Sequence, residues 1–201
     1  MSYNFNADYN KLNSIETPQA ARIAEWVKRV VNPNKVIDAG CGPGTYVHAM
    51  RSLEINAFGY DLDPRVNDKQ FLSNKDLLDI DDHADMVMCL EVVEHIDPKE
   101  SQKIVDKLYN MVDNAGILLF SAGHLGQSGA DHINCRPKEF WHHLFYQKGL
   151  IRCHSLEHQL INSVKTTPYL GWLPINLMIF YKHDEESKDF TSGSLRGPYS
   201  E

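Results

Sequence analysis

The sequence predicts an α/β domain built on a mostly parallel sheet, and three observations point to it. Short apolar runs alternate with segments that are apolar every three or four residues, the pattern of strands exchanging with helices. The first run, "KVIDAG", leads straight into Gly40-Cys41-Gly42-Pro43-Gly44, a glycine-rich strand-to-helix turn of the kind that binds nucleosides at the carboxyl edge of a parallel sheet. An acid, Asp61, closes the next strand about 20 residues later, where a partner for ribose hydroxyls belongs.

The elements follow in order. "TPQAARIAEWVKRVV" carries apolar residues at 20, 23, 24, 27, 30 and 31, and places Pro18 in the first turn of a lead-in helix. "KVIDAG" is a short buried strand and "TYVHAMRSL" a helix. "NAFGYDLDP" is a strand ending in acids, and "DMVMCL" another buried strand. "PKESQKIVDKLYNMV" is amphipathic, with Pro98 early and apolar residues at 104, 105, 108, 111 and 112. "GILLFSA" reads as a strand, "RPKEFWHHLFYQKG" as a helix stopped by Gly149, and "LIRCHSLE" as a further strand. "LPINLMIFYKH" closes the pattern, and no internal repeat is visible.

With 201 residues, 42% of them hydrophobic, the chain has material for one sizeable core. A single domain over 1–183 is expected, of which 1–31 forms an N-terminal arm and the lead-in helix. The polar tail 184–201 is expected to be disordered. No stretch of about 18 apolar residues is present and the first residues lack a signal-peptide pattern, so no membrane span and a cytoplasmic location are expected. Cys41, Cys89, Cys135 and Cys153 have no C-x-x-C spacing and read as reduced, mostly buried thiols. A net charge of -7 argues against broad binding to nucleic acid or anionic membranes, though a local basic patch stays open. A small-molecule partner fits better; oligomeric state is not readable.

The spacing of the turn decides between nucleoside ligands. G-x-G-x-x-G would need Gly or Ala where Thr45 stands, and no Gly-Lys-Ser/Thr follows for a phosphate loop. Asp38-Ala39-Gly40-Cys41-Gly42-Pro43-Gly44 closely resembles motif I of class I S-adenosylmethionine-dependent methyltransferases. "NKDLLDI" resembles the segment after that family's third strand, and "ADMVMCLEVVEHI" its fourth strand and exit. The family order covers residues 30 to 182. The resemblance implies a single Rossmann-like domain with a seven-stranded sheet, mostly parallel, its last strand antiparallel, and helices on both faces. It implies S-adenosyl-L-methionine as cofactor, giving S-adenosyl-L-homocysteine. Asp38, Gly40, Cys41, Gly42, Gly44, Asp61, Leu62, Asp76, Leu77 and Leu90 would bind it, with Asp61 at the ribose hydroxyls and Asp76 at the adenine amino group.

Methyl transfer from an activated sulfonium is an in-line displacement, so alignment and exclusion of water do most of the work. A hydroxyl or protonated amine acceptor gains from a general base within reach. Candidates at the right sheet edge are Glu91, Glu94, His95, Ser121 and His124, with Asp131 and His132 in the loop beyond. His132, His124 and Glu94 are the catalytic candidates. The loop "SAGHLGQSGADHINCRP" is glycine-rich and suits a lid or acceptor site. Its "GADHINC" resembles a G-x-x-H-x-N-C stretch of some bacterial and phage methyltransferases, which makes His132 a base, an acceptor-orienting group, or a histidine holding the loop. His142 and His143, adjacent on one helix, cannot both line a site.

"EVVEHI" either packs and caps the next helix or binds a divalent ion. In the second case it resembles the small-RNA 3′-end 2′-O-methyltransferases, whose likeness implies a metal at Glu91, Glu94, His95 and His132 and an RNA acceptor. Here Asp131-His132 precedes Glu139-Phe140 as in that family, but Ile133-Asn134-Cys135-Arg136-Pro137 departs from it. "TTPYLGWLPIN" could line an acceptor pocket through Tyr169 and Trp172, or pack as a connection. The primary expectation is a metal-independent methyltransferase for a small-molecule or sugar-like acceptor. The alternatives are a metal-dependent RNA 2′-O-methyltransferase and a non-catalytic module that keeps the fold as a partner surface.

Overall fold

A computed structural model describes residues 9–66, 70–165, 167 and 171–183, with 9–16 and 172 described by their backbone alone. The expectations for the N-terminal arm before residue 9, for Tyr169, for the Trp172 side chain and for the tail lie outside the described residues.

The strands are β1 Val36–Ala39, β2 Ala57–Asp61, β3 Leu72–Asn74, β4 Ala84–Leu90, β5 Val112–Ser121, β6 Leu150–Arg152 and β7 Met178–Lys182. They form one sheet in the order β3-β2-β1-β4-β5-β7-β6. Neighbours from β3 to β5 pair in parallel, and β7 runs antiparallel to β5 and to β6. The last strand is therefore antiparallel, as the resemblance implied.

Strand alternation sends successive side chains to opposite faces. Met86 and Met88 of β4 join Ile117, Leu119 and Ile179 under α1 (Tyr9–Trp26), α2 (Thr45–Ser52) and α5 (His154–Val164). Val87 and Cys89 join Leu118, Phe120 and Phe180 under α3 (Ser101–Met111) and α4 (Lys138–Gln147). Helices thus cover both faces, and the central strand residues between them are buried in one of two cores.

Three expectations need correction. The lead-in helix starts at Tyr9, so Pro18 lies inside it rather than in its first turn. Proline removes one intrahelical bond; burial of Ala20, Ile23, Ala24 and Trp26 on one face keeps the helix continuous past it. It runs on through a wide π turn, Val27–Val31, and stops where Asn32 adopts φ 48°. "LIRCHSLE" is strand only to Arg152, because Leu156, Leu160 and Val164 recur at helical spacing and are buried, forming α5. The closing segment splits into the single turn α6 (Trp172–Asn176) and β7. Among the described residues no helix is long and apolar enough to cross a membrane. Cys41 and Cys89 are buried, Cys135 and Cys153 are half-buried, and all four are free thiols.

Candidate active site

The order of strands reverses between β1 and β4, so the crevice at their carboxyl ends is the natural ligand position. A cavity of about 690 Å³ lies there, within the range of small-molecule sites. Its floor is the glycine turn.

The three glycines of the turn have different reasons. All have positive φ: 85° at Gly40, 51° at Gly42 and 81° at Gly44. A Cβ on Gly40 would collide with the Val92 side chain, and one on Gly44 would sit 2.5 Å from a Leu72 methyl. A Cβ on Gly42 would meet nothing within 4 Å, because it would stand in the cavity. Gly42 is therefore the position where missing side-chain volume leaves room for a ligand, and Gly44 does not line the cavity at all.

Asp61, at the end of β2, accepts the Gly42 N–H through Oδ2 and the Asp63 N–H through Oδ1, both at 2.8 Å. Burial pushes its carboxyl above the usual carboxylate range, against those two N–H bonds. Asp38, Cys41, Leu62, Asp76, Leu77 and Leu90 also line the cavity. Asp76 caps a 3-10 turn, its Oδ1 accepting the Leu78 N–H at 2.9 Å. Burial, and then Asp38 and Asp61, raise the Cys41 thiol, which keeps it protonated.

The other wall is the exit of β4. Glu91 stands there at φ 54°. Asn176, fully buried ahead of β7, donates from Nδ2 to both Glu91 carboxylate oxygens at 3.0 and 3.2 Å. Gln127 Nε2 adds a third bond at 2.8 Å. His124 shares 3.1 Å with Asn176 Oδ1 through Nδ1 and does not line the cavity, so the structure places it behind the site. Ser121 is fully buried and its Oγ accepts the Glu91 N–H.

Glu94 and His95 end a 3-10 turn, Val93–His95. The loop beyond β5 is latched onto it: Ile133 and Asn134 both donate main-chain N–H to the Glu94 carbonyl at 2.9 Å. The Asn134 amide, almost fully buried, reaches the Val93 carbonyl and Ser101 Oγ. This latch brings His132 against His95, ring centroids 4.9 Å apart and edge to face. His132 Nδ1 faces the Gln127 carbonyl at 3.3 Å and Cys135 Sγ at 3.6 Å. Asp131 is exposed, but its carbonyl lies 3.3 Å from His95 Nδ1.

Glu94 is fully buried, lines the cavity, and has no hydrogen-bond partner on either carboxylate oxygen among the described residues. Burial first, and then the neighbouring Glu91 carboxylate, push it up to about 8. Burial and the neighbouring His132 lower His95. Donor atoms of Glu94, His95 and His132 all lie within 4.8 Å of one another, so three of the four residues considered for a metal come together. Glu91 adjoins Glu94 but is engaged by two amides and is not part of that cluster. His142 and His143 line no part of the cavity.

Gln127, Asn134 and Asn176 were not anticipated. Amides at loop and turn positions carry no periodic signal, and each finds its partners across 33 to 85 residues of chain.

A glycine turn and a strand-end acid at the reversal of a parallel sheet, with β7 antiparallel, define the class I methyltransferase fold. A family model described as a methyltransferase domain matches residues 16–163, and the chain belongs to that family. Solved structures with the same fold include a SAM-dependent methyltransferase from Archaeoglobus fulgidus (15% identity, 87% of this chain and 100% of that one, TM-score 0.59). The sugar N-methyltransferase KedS8 from Streptoalloteichus is similar at 14% identity over 92% of this chain and 96% of its own, TM-score 0.62. Magnesium protoporphyrin IX methyltransferase from Synechocystis, solved with bound SAM, is similar at 15% identity over 90% and 86%, TM-score 0.56. No curated protein sequence matches the chain. The protein carries a methyltransferase domain.

Proposed function

We propose that the protein moves a methyl group from S-adenosylmethionine to a small-molecule or sugar-like acceptor. The observation that carries this is Gly42, whose missing side chain opens the cavity floor while Asp61 fixes its N–H. Asp61 and Leu62 would hold the ribose, Asp76, Leu77 and Leu90 the adenine, and Asp38, Gly40, Cys41 and Gly42 the amino-acid side; Gly44 shapes the turn. When bound, the cofactor supplies an activated methyl carbon for in-line displacement.

The remaining work is done by this chain's residues. His132, held by the Gln127 carbonyl, is the proposed base for the acceptor proton. Glu94 lies beside it in the buried wall. His124 acts indirectly, by orienting Asn176. The loop at 122–137 closes the site against water. Structures similar in fold include a sugar N-methyltransferase, which supports a small acceptor. The proposed setting is the cytoplasm.

A second reading is favoured by one observation, the gathering of Glu94, His95 and His132. It puts a divalent cation there and an RNA 2′-hydroxyl in the cavity. The donor set fits such an ion, with two nitrogens and a carboxylate. A chain of net charge -7 opposes the RNA half of this reading.

The test is transfer of labelled methyl from S-adenosylmethionine into metabolite, RNA and protein fractions, with and without chelator. Chelator-resistant label in metabolites is expected. Label in RNA that vanishes with chelator would establish the second reading.

A further inference from the structure

The cavity has an unusual balance of charge at the β4 exit. Glu91, Glu94, Asp97 and Glu100 line it there, with His95 and His132. Glu100 is paired with Lys103 at 2.8 Å. Glu91 accepts three bonds, all from the neutral amides of Asn176 and Gln127, which fix its direction without neutralising it. Glu94 has neither a counter-charge nor a hydrogen bond among the described residues, although it is fully buried. Leaving a buried carboxyl without a partner is costly, so a ligand group that supplies donors is favoured there. Among the described residues Lys75 is the one lysine or arginine lining the cavity, and it lies 3.9 Å from Asp81.

We propose that the acceptor is an amine, bound as its ammonium ion against Glu91 and Glu94 and methylated on nitrogen. An ammonium brings three donors and a positive charge to a wall of acceptors. A phosphate or carboxylate acceptor would meet Glu91 and Asp97 as repulsion. The proposal rests on the methyl-transfer reading above and specifies its acceptor.

The step balances. The ammonium gives one proton to a general base, the role proposed for His132, which lines the cavity beside Glu94. The freed nitrogen lone pair forms the N–C bond as the methyl–sulfur bond breaks, and that bond's electron pair stays on sulfur as a thioether. The charge that arrives on the sulfonium leaves on the methylated ammonium, and His132 releases its proton to solvent.

The test uses the full chain and a metabolite extract split by ion exchange into cationic, neutral and anionic pools. Each pool is offered with S-adenosylmethionine, and S-adenosylhomocysteine release is measured. The cationic pool is expected to give turnover about tenfold or more above the others, and Glu91→Gln to raise its apparent KM about tenfold. Calorimetric affinity for S-adenosylmethionine should stay within about twofold. Because Glu91→Gln disturbs the amide cluster, Asp97→Asn provides a second reading, since asparagine can keep the cap on the Lys99 N–H. A rise of about two- to fivefold in KM for the cationic pool, with kcat unchanged, is expected for this rim charge.

Turnover from the neutral or anionic pool overturns the amine proposal and leaves methyl transfer standing; if chelator abolishes it, a metal takes the place of the ammonium. No turnover from any pool overturns both. Cationic-pool turnover indifferent to both variants also overturns the placement at Glu91 and Glu94.

Discussion

Asp61 Oδ2 accepts the main-chain N–H of Gly42 at 2.8 Å, tying the end of β2 to the one turn residue whose missing side chain opens into the cavity. The bond links the floor of the site to the acid that would meet the ribose, so the two are set together. Asp61→Ala is expected to weaken S-adenosylmethionine binding by about 10- to 100-fold in calorimetry, the loss of one or two charge-assisted bonds. Unchanged affinity would remove the cofactor assignment.

The glycines give a paired prediction. Gly42→Ala places a methyl in open cavity, so affinity for the cofactor should fall while the melting temperature drops only by the left-handed penalty of about 1 kcal/mol. Gly40→Ala drives a methyl into Val92, and thermal melting should drop by several degrees, with loss of about 2 kcal/mol or more. Equal effects at both positions would contradict the division of roles.

Glu94 sets a pH dependence. Its folded-state carboxyl is raised to about 8 from an ordinary 4.5, so folding favours the protonated form. The resulting stability is fully present below about pH 4.5 and is lost as pH rises through about 8. Melting curves of the wild type should therefore fall from pH 5 to pH 9 more steeply than those of Glu94→Gln. Parallel curves would mean that Glu94 is ionised in the folded protein.

Asn134→Ala removes the side-chain latch between the loop and the Val93–His95 turn. A loss of about 1–3 kcal/mol in stability is expected from the stranded partners. Cofactor affinity should hold while kcat falls, because His132 is carried by the released loop. A variant that keeps full turnover would show that the loop position is immaterial.

His132→Gln should lower kcat by about 10²- to 10⁴-fold with little change in cofactor affinity, the range for loss of a general base. Wild-type turnover should persist in chelator. Activity lost in chelator and restored by manganese would favour the metal at Glu94, His95 and His132.

Much of the sheet was legible because its signals are local. "VIDA" and "DMVMCL" are apolar runs too short for helices, and Gly40 and Gly42 sit at the one kind of turn that demands positive φ beside a strand end. α5 was missed because its three buried aliphatics follow directly on a strand, and the change of period at Cys153 has no strong marker. Pro18 misled for a related reason: a first-turn preference is weak beside the burial of a whole helix face.

By itself the sequence determined the central strands, the glycine turn and its acid, and with them the methyltransferase family, since each depends on residues close in the chain. Only the tertiary structure decided that Gly42 rather than Gly44 opens into the cavity, that His124 stands behind the site, and that Asn176 turns Glu91 while Asn134 carries His132 to His95. The contacts of Asn134 and Asn176 join residues 33 and 85 positions apart, and contacts of that range come from packing, which local pattern does not encode.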